Sequence, residues 1–212
     1  PVVHTLHNYR AVCPTALLMF DGVINERSIN YSSWWSVFKK VYRDSFMGSL
    51  SLFCMVELHK KLGTWQNKVD RFIALTDFSK EKYIQAGWPS AKINVKPNFI
   101  KDPFYGVDVV DKQGGYVLFV GRLSEEKGLH TLVEAWDSIE YPLKIIGDGP
   151  LLSLIKCSKN KNIEYLGLKE KTEVIKLIQN ADFIVMPSIW YETFGMVIIE
   201  AFACGTPVLV SR

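Results

Sequence analysis

What the 212-residue sequence lacks narrows its chemistry first. It has no apolar run of the ~20 residues that a membrane-crossing helix needs. The longest, FMGSLSLFCMVEL at 46–58, falls short. Its four cysteines, Cys13, Cys54, Cys157 and Cys204, are scattered, with neither C-x-x-C nor metal-ligand spacing. The expectation is reduced thiols in a cytosolic protein, with no His/Cys/Asp cluster for a metal. No signal peptide opens the chain. There is no initial Met, and the sequence stops at PVLVSR directly after an apolar run, so it reads as a fragment cut at both ends. Neither G-x-G-x-x-G nor G-x-x-x-x-G-K-[ST] occurs. A dinucleotide-dependent dehydrogenase or epimerase is therefore disfavoured, and a P-loop is absent.

What is present is ordinary globular composition, 48% hydrophobic and 22% charged, enough for one large or two small domains. The charge is uneven. Residues 1–106 carry 14 Lys and Arg against 8 Asp and Glu, an excess of six positive charges, while residues 107–212 carry 11 against 14. The basic half fits an anionic surface or ligand; a plain solvated surface fits equally well.

In the first half, PVVHTL reads as a buried strand and residues 31–62 as mostly helical, with a break at Gly48. DRFIALT reads as a strand, and DFSKEKYIQAG as a helix capped by Asp77 or Ser79. KINVKPN reads as a short strand. Residues 104–115, rich in Gly and Asp, are the expected linker between domains at 1–103 and 116–212. Beyond it, short apolar strands alternate with helices: YVLFVG, PLKIIG, IEYLG, DFIVMPS and PVLVS are the strands. This alternation predicts a parallel α/β sheet. Ligands bind beyond the carboxyl ends of such strands, here at Gly121, Gly147, Gly167 and Pro187.

Two strand-end loops carry chemistry. GRLSEEKG at 121–128 offers Arg122 and Lys127 ahead of a helix, a pair suited to a diphosphate. The same cations could instead pair with Glu125 and Glu126 on the surface. In PSIWYETFGMVIIEAFACGTP, Thr193 is a candidate cap for a helix whose first amides would be an anion site. Glu192 lies just outside that helix and Glu200 eight positions on, among apolar neighbours. A helix apolar all round is usually buried, and an unpaired buried carboxylate is costly. Glu200 thus calls for a polar edge or a bound partner. Carboxylates accept hydrogen bonds from sugar hydroxyls, so phosphate-binding cations beside two carboxylates suit a nucleotide sugar.

GRLSEEKG, IIGDGPL, EYLGLK and PSIWYETFGMVIIEAFACGTPVL together resemble the donor half of retaining glycosyltransferase family four, of the glycosyl transferases group 1. Glu192 and Glu200 stand at the family's Glu–seven residues–Glu motif. VVHTLHNYRAVCP, VDRFIALTDFSKEKY and VKPNFI resemble, less specifically, its acceptor domain. The resemblance implies a GT-B-type α/β fold with two Rossmann-like domains, both incomplete here. The family's Gly-rich loop after its first strand and its closing strands are missing. It also implies a retaining hexosyltransferase that moves sugar from a nucleotide-diphosphate sugar to a saccharide or lipid-linked saccharide, with no metal. Surface polysaccharide synthesis is the expected setting.

Residue by residue, the resemblance gives the catalytic set as His7, Arg122, Lys127 and Glu192. Arg122 and Lys127 would hold the diphosphate and stabilise the leaving group. The donor-binding set adds Gly121, Gly147, Leu166 and the backbone at Phe194, Gly195, Met196 and Val197. Glu192 would grip the transferred sugar and Glu200 the ribose hydroxyls, so that Glu200 would have partners only with donor bound. His7 would line the sugar site, and Asn8 and Tyr9 would touch the acceptor. His4 reads as core. Two carboxylates on one segment do not suit the facing pair of a retaining glycosidase. Front-face attack, with the leaving phosphate oxygen taking the acceptor's proton, fits better. The expected location is cytoplasmic, peripheral at the inner face of the plasma membrane, with an anionic membrane surface as a partner and no nucleic acid. A non-catalytic nucleotide- or sugar-binding module remains the alternative.

Overall fold

The computed structural model describes residues 1–102 and 113–211. Two compact units form: Pro1–Asn98 together with Trp190–Phe194, and Phe99–Ile189 together with Gly195–Arg212. Most of the expected linker at 104–115 lies outside the described residues. Trp190–Phe194, read from the sequence as part of the second domain, groups with the first unit.

In the first unit the chain runs through β1 (Val3–Leu6), the hairpin β2 (Met19–Phe20) and β3 (Val23–Ile24), and helices α1 (Arg27–Asn30), α2 (Trp35–Phe38), α3 (Phe46–Leu62) and α4 (Thr64–Lys68). It then forms β4 (Arg71–Ala74), α5 (Asp77–Gln85) and β5 (Ile93–Val95). The parallel sheet has the order β1-β4-β5. Leu6, Phe72, Tyr83, Trp88 and Ile93 fill its core, each large apolar side chain contributing about 1.5–3 kcal/mol.

Three local expectations are corrected here. β1 is an edge strand, so Val2 and Val3 are more than half exposed and only Leu6 is buried. The break within 31–62 falls at residues 39–45, where Lys40, Arg43 and Asp44 adopt positive φ. Gly48 lies inside α3. Ser45 caps that helix, its hydroxyl accepting from the Gly48 amide at 3.1 Å. A β-carbon on Gly48 would stand 2.9 Å from the Tyr42 ring, so glycine serves close packing rather than chain breaking. Finally, Thr76 rather than Asp77 or Ser79 caps α5, in a reciprocal capping box with Ser79.

The second unit contains β6 (Val117–Val120), α6 (Leu129–Trp136), β7 (Leu143–Ile146), α7 (Leu152–Cys157), β8 (Ile163–Gly167), α8 (Lys171–Asn180), β9 (Phe183–Met186), α9 (Met196–Ala203) and β10 (Val208–Val210). All five strands run parallel in the order β10-β9-β6-β7-β8. Each was legible as an apolar run. Side chains alternate along β6: Val117 and Phe119 join Leu129, Leu132, Trp136 and Ile155 on one face. Leu118 joins Ile178 and Ala201 on the other. Helices α6 and α7 therefore cover one face, and α8 and α9 the other. The chain starts in the middle of the sheet, adds two strands on one side, then returns to add two on the other. The reversal falls between β6 and β9, and ligands bind beyond the strand ends at such a switch point.

Candidate functional site

The switch point sets side by side the two loops singled out in the sequence. Strand β6 ends at Val120 and passes into Gly121 and Arg122; β9 ends at Met186 and passes into Pro187. The loops touch backbone to backbone. Ile189 N–H donates to the Glu126 carbonyl at 3.0 Å. Gly128, at φ +69°, lies so close that an added β-carbon would sit 1.9 Å from the Pro187 carbonyl oxygen. Gly147 at the end of β7 is equally tight, its β-carbon position 1.8 Å from the Gly121 carbonyl oxygen. Glycine at 128 and 147 is thus demanded by backbone approach.

On this frame Arg122 is exposed and, among the described residues, makes no ion pair. Glu126, a candidate partner for the cations, instead accepts the Ser124 hydroxyl at 2.6 Å. A short 3-10 turn at Glu125–Lys127 leads through Gly128 into α6. Leu166, on β8, is half-buried against the α8 side of the sheet.

Helix α9 begins two residues later than read from the sequence, at Met196. Gly195 occupies the capping position at φ +73°, with no side-chain cap. The Thr193 hydroxyl is turned away, donating to the His7 carbonyl at 3.0 Å within the first unit. The left-handed conformation at 195 is open to glycine and strained for other residues. The first internal bond of the helix runs from Ile198 N–H to the Gly195 carbonyl. The amides of Met196 and Val197 precede it and point out of the N-terminus as an anion-facing pair. Phe194 and its amide belong to the first unit.

Glu200 sits two-thirds along α9. Its side chain is 13% exposed, and Lys171 Nζ lies 3.7 Å from Oε1. This corrects the expectation of a carboxylate without any protein partner. The correction is small: Lys171 is 73% exposed and the separation exceeds a hydrogen bond, so the pair contributes little. α9 itself is less buried than an all-apolar helix suggests: Ala201 is its buried residue, and Phe202 is 65% exposed.

Within the first unit, His7 follows the end of β1 and is exposed. Glu192 is fixed by its own neighbours: its N–H donates to the Trp190 carbonyl at 2.9 Å, and the Trp190 indole donates to its carboxylate at 3.2 Å. Tyr9, expected to meet a ligand, is fully buried, and its hydroxyl has no hydrogen-bond partner among the described residues. Burial, then Tyr191, Glu192 and Glu26, holds that hydroxyl neutral well beyond its ordinary range. His4 is exposed at the sheet edge and tilts against the Trp65 ring, which corrects its reading as core. In the second unit, the structure gathers Gly121, Arg122, Lys127, Gly147, Gly195, Met196, Val197 and Glu200 at one end of one sheet or on the helix that leads away from it. Gly128, within the quoted loop but without a role assigned from the sequence, is what lets the two loops meet. Among the described residues no group of His, Cys, Asp and Glu could hold a metal ion.

Comparison with known proteins agrees with this geometry. The family model described as glycosyl transferases group 1 matches residues 107–212. An uncharacterized glycosyltransferase of Methanocaldococcus jannaschii is 38% identical over 111 residues, 50% of this chain and 31% of the relative. A 42.6 kDa protein in the cps region of Klebsiella pneumoniae is 29% identical along the whole chain and half its own length. The O-antigen chain mannosyltransferase B of Escherichia coli is 26% identical over 77% of this chain and 51% of its own. The chain thus spans about half the length, or less, of these curated relatives. The crystal structure of HepE from Anabaena in complex with UDP superposes on the whole chain and 53% of its own, with a TM-score of 0.66 at 20% identity. That likeness establishes the GT-B fold.

Proposed function

Since the chain belongs to the glycosyl transferases group 1, we propose that its parent protein is a retaining hexosyltransferase acting in bacterial surface polysaccharide synthesis. It moves sugar from a nucleotide-diphosphate sugar to a saccharide or lipid-linked saccharide. One observation carries this reading: the strand order sets the Arg122–Lys127 loop beside the loop that leads into α9 at the sheet's switch point. That pairing offers two cations and a helix N-terminus to a diphosphate, and a sheltered carboxylate at Glu200 to a ribose. The relatives, one named an O-antigen chain mannosyltransferase and one an uncharacterized protein in a cps region, support the setting.

In this reading Arg122, Lys127 and the amides of Met196 and Val197 hold the diphosphate through the reaction. As the bond from the sugar's anomeric carbon to the phosphate oxygen breaks, they stabilise the charge left behind. The acceptor hydroxyl bonds to the same face of that carbon and gives its proton to the departing phosphate oxygen. Glu192 orients the transferred sugar and His7 lines its site. No metal takes part. Residues 1–103 form the acceptor domain, joined through 104–115 to the donor domain at 116–212.

The first unit also carries our reading of where the protein works. Trp34, Phe38, Tyr42, Phe46 and Met47 are exposed, with Lys39, Lys40 and Arg43 among them. Aromatic side chains beside cations suit the headgroup region of an anionic bilayer. We place the protein at the cytoplasmic face of the plasma membrane, bound peripherally; no helix among the described residues is long and apolar enough to cross a membrane.

The test is a thermal-shift panel of UDP-, GDP- and ADP-sugars, since a ligand that binds only the folded state raises the melting temperature. One nucleotide series should stabilise the protein, with sugar transfer or donor hydrolysis to follow. Stabilisation without turnover would indicate a binding module; no stabilisation by any would defeat the reading.

A further inference from the structure

Five residues of the loop after β9, Trp190–Phe194, belong to the first unit, and something there must hold them. The structure assigns this task to two charged side chains given no role above. We propose that Glu26 and Lys82 are positioning residues that seat the Tyr191 ring and so fix the orientation of Glu192. The significance for sugar transfer rests on the role given to Glu192 under the proposed function; the seating itself does not.

The geometry starts on α5, where Phe78 and Lys82 stand four positions apart and share one face. The Lys82 side chain is 11% exposed, and its ammonium donates to Glu26 Oε1 at 2.6 Å and to the Gln85 side-chain oxygen at 3.3 Å. The same ammonium lies 5.3 Å from the Phe78 ring centroid and 5.0 Å from that of Tyr191. The two rings meet edge to face at 4.9 Å. Burial and, after it, the nearby Glu26 carboxylate hold the Tyr191 hydroxyl neutral beyond its ordinary range. The hydrogen bond from Lys82, against a smaller opposing effect of burial, holds the Glu26 carboxyl below its ordinary range. Tyr191 is therefore held through its ring, by the Lys82 ammonium and the Phe78 ring.

The residues on either side transmit this. Glu192 follows Tyr191 directly and is tied back to Trp190 by its own N–H and carboxylate. Thr193 is pinned to the His7 carbonyl. With Tyr191 seated, the Glu192 carboxylate has little freedom left. A buried ion pair is often no more stabilising than apolar side chains of the same volume, so stability alone does not account for charge here. What a charged pair and a cation–π contact add over apolar packing is direction. Geometry at a reacting centre matters steeply, since a misplacement of about 1 Å costs about 10²-fold.

The experiment compares Lys82→Met, Lys82→Arg and Glu26→Gln with the unaltered protein. Hydrogen–deuterium exchange is read over peptides spanning residues 188–195, with peptides spanning β6 to β8 as internal controls. Lys82→Met should speed exchange in the 188–195 peptides at least tenfold while leaving the controls unchanged. Glu26→Gln, which weakens the anchor of the Lys82 ammonium, should give a smaller rise, and Lys82→Arg should restore most of the protection. With donor and acceptor, Lys82→Met should lower kcat tenfold or more and leave donor KM within twofold. Unaltered exchange at 188–195 in Lys82→Met overturns the proposal. If that variant does not fold, unaltered exchange in Glu26→Gln does the same. The exchange needs no substrate. Faster exchange in a protein with no transferase activity would leave the seating intact and defeat the functional reading instead.

Discussion

The carbonyl oxygen of Pro187 occupies the space that a side chain on Gly128 would need, 1.9 Å from its β-carbon position. Two strand-end loops are thereby locked at one point, and the consequence is measurable. Gly128→Ala introduces both a backbone collision and a strained positive φ, and should cost more than about 2 kcal/mol in denaturant unfolding. Gly121→Ala is the contrast. Its β-carbon would meet the Phe119 ring at 3.5 Å, an ordinary contact, and stability should change by less than about 1 kcal/mol. Equal losses in the two variants would mean that the loops are not tied at Gly128.

Among the described residues, Glu200 has a single distant cation and most of its hydrogen-bonding capacity unspent. Glu200→Gln should weaken donor binding by about 1–3 kcal/mol, the worth of a charged hydrogen bond, with the melting temperature of the free protein preserved. Lys171→Ala, which removes only the exposed ion-pair partner, should leave donor affinity unchanged. Isothermal titration with the stabilising nucleotide sugar tests both. An unfolded Glu200→Gln, or one with full affinity, would refute a ribose-binding carboxylate.

Arg122→Ala and Lys127→Ala bear on charge at the leaving group. Each should lower turnover by about 10²-fold or more, in line with the loss of a preplaced donor to a developing anion. The loss should be larger in kcat than in donor KM. Steady-state kinetics across a range of donor concentrations separates the two. A change confined to KM would reduce these cations to ground-state binding.

Membrane docking has its own signature. Replacing Lys39, Lys40 and Arg43 with Gln should cut sedimentation with anionic vesicles, at about 1 kcal/mol for each cation near the surface. Added salt should do the same. Trp34→Ala with Phe38→Ala should weaken binding with less change in its salt dependence. Equal binding to neutral vesicles, or none to any, would leave this face simply solvated.

The two buried phenols of the first unit predict alkaline sensitivity. Burial raises the pKa of Tyr9 and Tyr83 far above its ordinary value of 10.0. The neutral form is therefore favoured in the folded state. The associated stability is complete below the unfolded pKa, near 10, and is lost as pH rises towards the folded value. Chemical denaturation between pH 8 and pH 11 should show a falling midpoint above about pH 10. Tyr9→Phe, which removes a phenol with no partner, should flatten that fall and cost little at neutral pH.

The second half was legible because its strands are short apolar runs, four of the five closed by glycine or proline, and period-two and period-3.6 patterns are local properties. The pairing order was not, since it depends on which strands meet across the sheet. The start of α9 was misread for a related reason. Thr193 has the chemistry of a cap, but its hydroxyl is claimed by the His7 carbonyl, 186 positions away. Gly48 was misread as a breaker because sequence alone cannot show that the Tyr42 ring lies against it. In the site, Arg122, Lys127 and Glu200 stood out by type and spacing. Glu26 and Lys82 did not, being ordinary surface-type residues 56 positions apart whose meeting only the fold reveals.

The excursion of Trp190–Phe194 into the first unit makes the two halves inseparable by scissors. A peptide bond cut after Asn98 would not yield a complete amino-terminal half. That piece would keep Lys82 but lose the tyrosine ring over it, and would keep the His7 carbonyl but lose the hydroxyl that donates to it. Its partner would carry a five-residue strip of aromatic and acidic side chains with nothing to rest on. The chain threads its two units in four segments, and any dissection of it must follow the thread.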